Sequence, residues 1–153
     1  MRKKIAVDIF SGAGGLSIGA EMAGVKTILA VEYDKHAADS FKKNHRETTV
    51  LNQDIRTVNP LEHTEKFPFI LMGGPPCQGF SIANRKAGDP ADPRNSLFKE
   101  FVRLGKIFEP KIMIMENVPN LIKARTHDKE LVIDIIIQEL ENVGYYVYHT
   151  ILS

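Results

Sequence analysis

Pro75-Pro76-Cys77-Gln78 holds the single cysteine of the chain, directly after an apolar run, Phe69-Ile70-Leu71-Met72, that ends in Gly73-Gly74. A thiol just past the carboxyl end of a buried strand stands where open α/β sheets bind ligands and do chemistry. Cys77 is therefore a candidate nucleophile. A lone cysteine is otherwise a small buried hydrophobe without reactivity. Against that, two prolines fix the backbone before it, and Gln78, Gly79 and Ser81 make the stretch after it too polar and too kinked for a core segment. A second candidate is Glu116, which follows the apolar run Ile112 to Met115. A carboxyl beside an apolar strand end has its pKa raised, which suits it to donate a proton or hydrogen bond near neutral pH. Its plainer use is to cap the loop that follows.

A different chemistry is written near the amino end. An apolar strand runs into Asp8-Ile9-Phe10-Ser11-Gly12-Ala13-Gly14-Gly15-Leu16-Ser17, and Glu32 closes the next strand, twenty positions after Gly12. Glycines let the backbone approach a ligand, and an acid at the second strand tip can accept hydrogen bonds from ribose hydroxyls. The pattern reads as a nucleoside site. A dinucleotide fingerprint wants glycine at 12, 14 and 17, and position 17 is serine, which disfavours a nicotinamide-dependent oxidoreductase. Asp54, in Asn52-Gln53-Asp54-Ile55 after the third strand, can accept from an exocyclic amine while Ile55 lies against a purine ring. The bland alternatives are a tight turn and two solvated strand ends.

Short β-rich runs alternate with amphipathic stretches, the pattern of a mostly parallel sheet with helices on both faces. Strands are expected at 4–9, 27–32, 48–51, 69–72, 112–115 and 145–151. Helices are expected from Gly15 to Ala23, stopping at Gly24; from a cap at Asp34 to Asn44; from a cap at Asn95 or Ser96 to Ile107; and from Asp128 to Val143, stopping at Gly144. Residues 74–94 form the one long irregular stretch; loops of that size are usually functional or disordered, and Cys77 at its opening favours function.

With 153 residues the chain is expected to be one domain, residues 1–153, able to bury roughly 70% of its unfolded surface. Hydrophobic content of 43% and charged content of 25% are ordinary globular values, and no apolar run approaches the ~18 residues of a membrane span. Met1-Arg2-Lys3-Lys4 does not open a secretory signal, and one cysteine excludes an internal disulfide. A soluble, cytoplasmic protein is the expectation. A net charge of +1 does not announce nucleic-acid binding, and the five histidines show no metal-ligand spacing, so no metal is expected.

Taken in order, Phe10-Ser11-Gly12-Ala13-Gly14-Gly15, Glu32, Asp54, Gly74-Pro75-Pro76-Cys77-Gln78-Gly79-Phe80-Ser81 and Glu116-Asn117-Val118 resemble the catalytic-domain motifs of the cytosine-5 DNA methyltransferases. The resemblance covers essentially the whole chain, and the proline-cysteine-glutamine and Glu-Asn-Val segments are its most specific parts. It implies a Rossmann-like methyltransferase fold and transfer of methyl from S-adenosylmethionine to carbon 5 of cytosine in double-stranded DNA, within a bacterial restriction-modification system. By the resemblance Phe10, Ser11, Gly12, Gly14, Gly15, Leu16, Glu32, Tyr33, Asp54, Ile55 and Pro75 would line the cofactor pocket. Cys77 would add to carbon 6 of a flipped cytosine, Glu116 would hold its N3 and amine, and Asn117 would shape the pocket. Gln78, Ser81, Arg85 and Val118 would contact substrate.

The sequence departs from the family pattern at its end. It stops at Ser153, whereas the family continues with an arginine-bearing segment, a seventh, antiparallel strand, a target-recognition region and a final helix. Either a truncation or one subunit of a split enzyme is therefore expected, with little activity alone, a need for a second polypeptide, or self-association. Methylation of transfer RNA by a related branch, and a non-catalytic cofactor-binding module, stand as alternative readings.

Overall fold

The computed structural model describes residues 4–76, 97–126 and 128–152. In chain order its elements are β1 (Ile5–Ile9), α1 (Gly15–Met22), β2 (Lys26–Val31), α2 (Lys35–Asn44), β3 (Thr49–Leu51), β4 (Ile70–Gly73), α3 (Leu97–Phe108), β5 (Ile112–Met115) and α4 (Val132–Glu141). Short 3-10 turns lie at Ile55–Thr57, Pro60–Glu62 and Pro119–Lys123. The five strands form one parallel sheet in the order β3-β2-β1-β4-β5, the strand order of Rossmann-like folds. The expected parallel α/β architecture is what the chain adopts.

The order follows from the pattern of the strands. β1 and β4 are apolar almost throughout, as strands covered on both faces must be, and they occupy the middle of the sheet with Val7, Ile9 and Leu71 fully buried. The crossovers β1-α1-β2 and β2-α2-β3 step in one direction, so their right-handedness places α1 and α2 on one face. Helix ends fall where the capping chemistry predicts. The Ala37 N–H donates to Asp34 Oδ1 at 2.8 Å, and Gly24 and Gly144 take φ of +79° and +93° after α1 and α4.

Two expected elements differ. Residues 145–151 form no strand: Tyr146, Tyr148 and Leu152 are exposed, and the period-two alternation of burial persists from 145 to 148 without pairing. Alternation marks a surface that could be half buried, but a strand also needs a neighbour's hydrogen bonds. The last helix starts at Val132, not at Asp128, because the preceding residues fold back on themselves. The Thr126 N–H donates to the Glu130 carbonyl at 2.9 Å, Lys129 is left-handed at φ +66°, and Arg125 bridges Leu131. The cap expected at Asn95 or Ser96 lies outside the described residues.

The chain divides into two units, Met1–Gly74 with Ile107–Glu116, and Pro75–Lys106 with Asn117–Ser153. The first contains the whole sheet. The second contains most of α3, the 119–123 turn and α4, which pack Leu121, Val132, Ile136 and Leu140 out of solvent.

Candidate active site

Glu32 is the hub of the strand tips. It leaves β2 at the carboxyl edge and accepts the Gly12 N–H on Oε2 at 2.7 Å and the Asp34 N–H on Oε1 at 2.8 Å. Its backbone is held as well, since its N–H donates to the Leu51 carbonyl at 3.0 Å and Asn52 Nδ2 donates to the carbonyls of Glu32 and Tyr33, both at 2.9 Å. The β1, β2 and β3 ends are thus tied into one rim. A carboxylate offers about four acceptor positions, so two remain for a ligand's hydroxyls.

The glycines of the turn serve different ends. Among the described residues a Cβ at Gly12 or Gly15 would meet nothing within 4 Å, which leaves this backbone open to a ligand. At Gly14 a Cβ would lie 2.4 Å from His45 Nε2, and φ is +101°, so this glycine is required by packing against α2 and by the entry into α1. Phe10 is held at φ +56°, a conformation that costs a non-glycine residue roughly 1–3 kcal/mol and gathers at functional sites.

Three side chains beneath this rim escaped the sequence reading. Asp8 is fully buried inside β1; Ser17 Oγ donates to its Oδ2 at 2.6 Å, and Thr27 Oγ1 donates to Ser17 Oγ at 3.1 Å. Burial pushes the Asp8 carboxyl up to about 7, against the opposing pull of the Ser17 hydrogen bond. Asp8 Oδ1 and Ser11 Oγ are buried without a hydrogen-bond partner among the described residues. His45, buried at the end of α2, meets Glu21 through Nδ1 at 3.0 Å and packs on Phe41. The signal for Asp8 was present, an acid within the apolar run Ile5 to Ile9. Nothing local names its partner on α1, and Ser17 weighed only as a missing glycine.

Other expected cofactor residues are placed unevenly. Tyr33 is 77% exposed beside the rim, with a ring free to stack. Leu16 packs on the cluster of Ala6, Val25, Ile70 and Met72, and Ile55 is buried, so both already face protein. Asp54 caps the 55–57 turn by accepting the Arg56 N–H at 3.0 Å, and its carboxylate also takes the Arg56 guanidinium. Those hydrogen bonds hold the Asp54 carboxyl below the usual carboxylate range.

At the ends of β4 and β5 the Glu116 N–H donates to the Gly73 carbonyl at 3.0 Å, and a Cβ at Gly74 would sit 3.1 Å from Glu116 Oε2. The carboxylate therefore lies against the glycine three positions before Cys77. Glu116 is exposed, so among the described residues its carboxyl lacks the apolar surroundings expected of it. In the second unit Asn117 Nδ2 donates to the Pro75 carbonyl at 2.8 Å and fixes the backbone leading to the cysteine. Val118 is exposed. Cys77, Gln78, Ser81 and Arg85 lie outside the described residues.

The sequence profile of the C-5 cytosine-specific DNA methylases matches residues 5–153. The chain belongs to that family. The Type II methyltransferase M.DdeI of Desulfomicrobium norvegicum is 42% identical over 149 residues, covering 96% of this chain and 35% of that protein. M1.HphI of Haemophilus parahaemolyticus is 41% identical, covering 96% of this chain and 40% of its own length. This methylase chain thus spans between a third and two-fifths of the curated relatives named. Among solved structures, a putative DNA modification methyltransferase encoded within an E. coli prophage superposes with TM-score 0.73 at 29% identity, over 91% of this chain and 38% of that one. Spodoptera frugiperda DNMT2, at 24% identity and TM-score 0.68 over 92% of this chain and 41% of that one, shares the methylase fold.

Proposed function

We propose that this chain is the cofactor-binding and catalytic portion of a DNA (cytosine-5-)-methyltransferase that acts on double-stranded DNA in a bacterial restriction-modification system. The observation that carries the reading is the edge on which Glu32, Gly12 and Glu116 all stand at carboxyl ends of parallel strands, the place where open α/β sheets bind ligands. Family membership supplies the reaction class.

The open backbone at Gly12 and Gly15, the two free acceptor positions of Glu32 and the exposed Tyr33 ring fit S-adenosylmethionine. Glu32 would accept from its ribose hydroxyls, Tyr33 would pack on adenine, and Phe10, Ser11 and Gly14 would shape the methionine side. Asp54 would accept from the exocyclic amine in exchange for one of its Arg56 contacts. When bound, that cofactor supplies an electrophilic methyl group on a sulfonium.

Cys77, as thiolate, would form a bond to carbon 6 of a flipped cytosine, converting the ring to an enamine whose carbon 5 is nucleophilic enough to take the methyl. Glu116 would hold N3 and the amine and stabilise the charge that develops on addition. Asn117, through the Pro75 carbonyl, would position the cysteine segment. Loss of the carbon-5 proton to a base and departure of Cys77 as thiolate would complete the turnover. Gln78, Ser81, Arg85 and Val118 would face the DNA. Because the chain spans only part of its relatives, target recognition falls to a further segment or a second polypeptide. Action on bacterial DNA implies a cytoplasmic place of work.

The test is covalent trapping. Duplex DNA with 5-fluorocytosine, incubated with S-adenosylmethionine and the protein encoded by the whole reading frame, is expected to yield an adduct in mass spectrometry that maps to Cys77 and is lost in Cys77→Ser. An adduct that survives Cys77→Ser, or none in the unsubstituted protein, refutes the assignment.

A further inference from the structure

At the opposite, amino edge of the sheet the loops entering β1, β2, β4 and β5 surround a concavity of about 900 Å³. Among the described residues its lining includes four lysines, Lys4, Lys26, Lys66 and Lys111, a single acid, Glu109, and the rings of Phe67 and Phe69. All belong to the first unit. Strands of four to six residues separate this edge from the Glu32 rim by about 15 Å, at roughly 3.3 Å per residue.

The lysines are not equivalent. Lys26 is paired with Glu47, and Lys4 lies over the Phe69 ring at 4.6 Å from its centroid. Lys66 and Lys111 are exposed and make no ion pair with any described residue. Phe67, which lines the same concavity, is 62% exposed, and its ring meets Phe108 edge-to-face with centroids 6.5 Å apart. At most one face of Phe67 is taken by that contact, so a flat apolar surface stands open in the same concavity as two lysines that form no ion pair among the described residues. A lysine rim alone attracts any small anion. The exposed Phe67 ring asks in addition for a flat partner, the combination used wherever bases stack on aromatic side chains while lysines follow the phosphates.

We propose that this amino-edge concavity binds a nucleoside phosphate, its base on Phe67 and its phosphate between Lys66 and Lys111, as a site separate from the cofactor rim. The same chemistry is offered by a free mononucleotide and by the end of a single nucleic-acid strand. The site does not depend on the methyl-transfer reading, because none of its residues belongs to the carboxyl edge.

The test is amide and methyl NMR titration of the chain with S-adenosylhomocysteine held in excess, so that any nucleoside site at the carboxyl edge is occupied. The probes are thymidine 5′-phosphate, a short oligothymidylate, thymidine, inorganic phosphate and an oligoglutamate peptide. Saturable shifts centred on Lys66, Phe67 and Lys111 are expected with the mononucleotide or the oligonucleotide, and whichever binds more tightly identifies the source. The double variant Lys66→Glu, Lys111→Glu and the single Phe67→Ala should each weaken binding by about tenfold or more, while Glu109→Gln should tighten it. Unshifted signals at these residues would overturn the proposal, as would inorganic phosphate or oligoglutamate matching the nucleotide. So would full affinity in Phe67→Ala with S-adenosylhomocysteine binding intact.

Discussion

The two sides of the sheet are finished to different degrees. Toward β3, the strand tips are knotted by Glu32, Asn52 and backbone hydrogen bonds, and β1 and β2 are buried. Toward β5, burial alternates: Ile112 and Ile114 are each about two-fifths exposed on a strand with one described neighbour. The Glu32 side is built from contacts contained within residues 4–74, whereas the apolar residues of β5 are only half used by the described chain. Affinity for a nucleoside cofactor should therefore be a property of this chain, and stability should rest on β1, β2 and β4.

The largest expected effect lies at the seam between the two sides. A Cβ on Gly73 would sit 2.1 Å from the Ile9 carbonyl oxygen, backbone against backbone, so no rotamer change relieves it. Gly73→Ala should cost upwards of about 3 kcal/mol, the high end of overpacking, and leave the chain largely unfolded in urea melts. A melt within about 1 kcal/mol of the parent would mean that β1 and β4 part easily and that the seam is soft.

Asp8 comes next. Its carboxyl is raised in the folded state to about 7 from 3.8. The folded protein thus holds a proton that the unfolded chain has released, and stability from this group is present in full below about pH 4 and lost as pH rises through 7. The loss is bounded at about 4 kcal/mol by the size of the shift. Asp8→Asn cannot ionise, although its amide nitrogen would take the place of an oxygen that has no partner among the described residues. The variant should be the less stable at pH 5 and draw level with or pass the parent by pH 8. Parallel stability curves from denaturation at pH 5, 6, 7 and 8 would contradict this.

That buried acid also marks where sequence reading ends. Five strands stand within a residue of their expected bounds because each is an apolar run bracketed by turn residues, a property of consecutive positions. The meeting of Glu32 and Gly12 at the strand tips was legible because a glycine turn and an acid at the next strand tip form a recurrent pattern. The Asp8, Ser17 and Thr27 chain and the His45 contact with Gly14 join residues from different elements, and no spacing rule pairs them. The strand expected at 145–151 failed for the same reason, since its alternation is local and its partner is not.

On the cofactor side, Glu32→Ala should weaken S-adenosylhomocysteine about ten- to a hundredfold in calorimetric titration, the loss of one or two charge-assisted hydrogen bonds. It should also loosen the Gly12 turn, which gives up an acceptor. Glu116→Ala, at the other tips, should leave that affinity unchanged. Equal losses in the two variants would erase the proposed division between a cofactor end at Glu32 and a catalytic end at Glu116.

The smallest effect should come from β5. Ile114 is 41% exposed, whereas Leu71, on the neighbouring strand β4, is fully buried. Ile114→Thr keeps the β-branched shape that suits a strand and removes only part of a side chain that water already reaches. It should cost less than about 1 kcal/mol, where Leu71→Ala should cost about 2–5 kcal/mol. Urea denaturation of the two variants measures the contrast directly. A loss at Ile114 comparable to that at Leu71 would show that the outer face of β5 is covered in solution, by a copy of the chain if the loss grows with protein concentration, and the two sides of the sheet would then be equally finished.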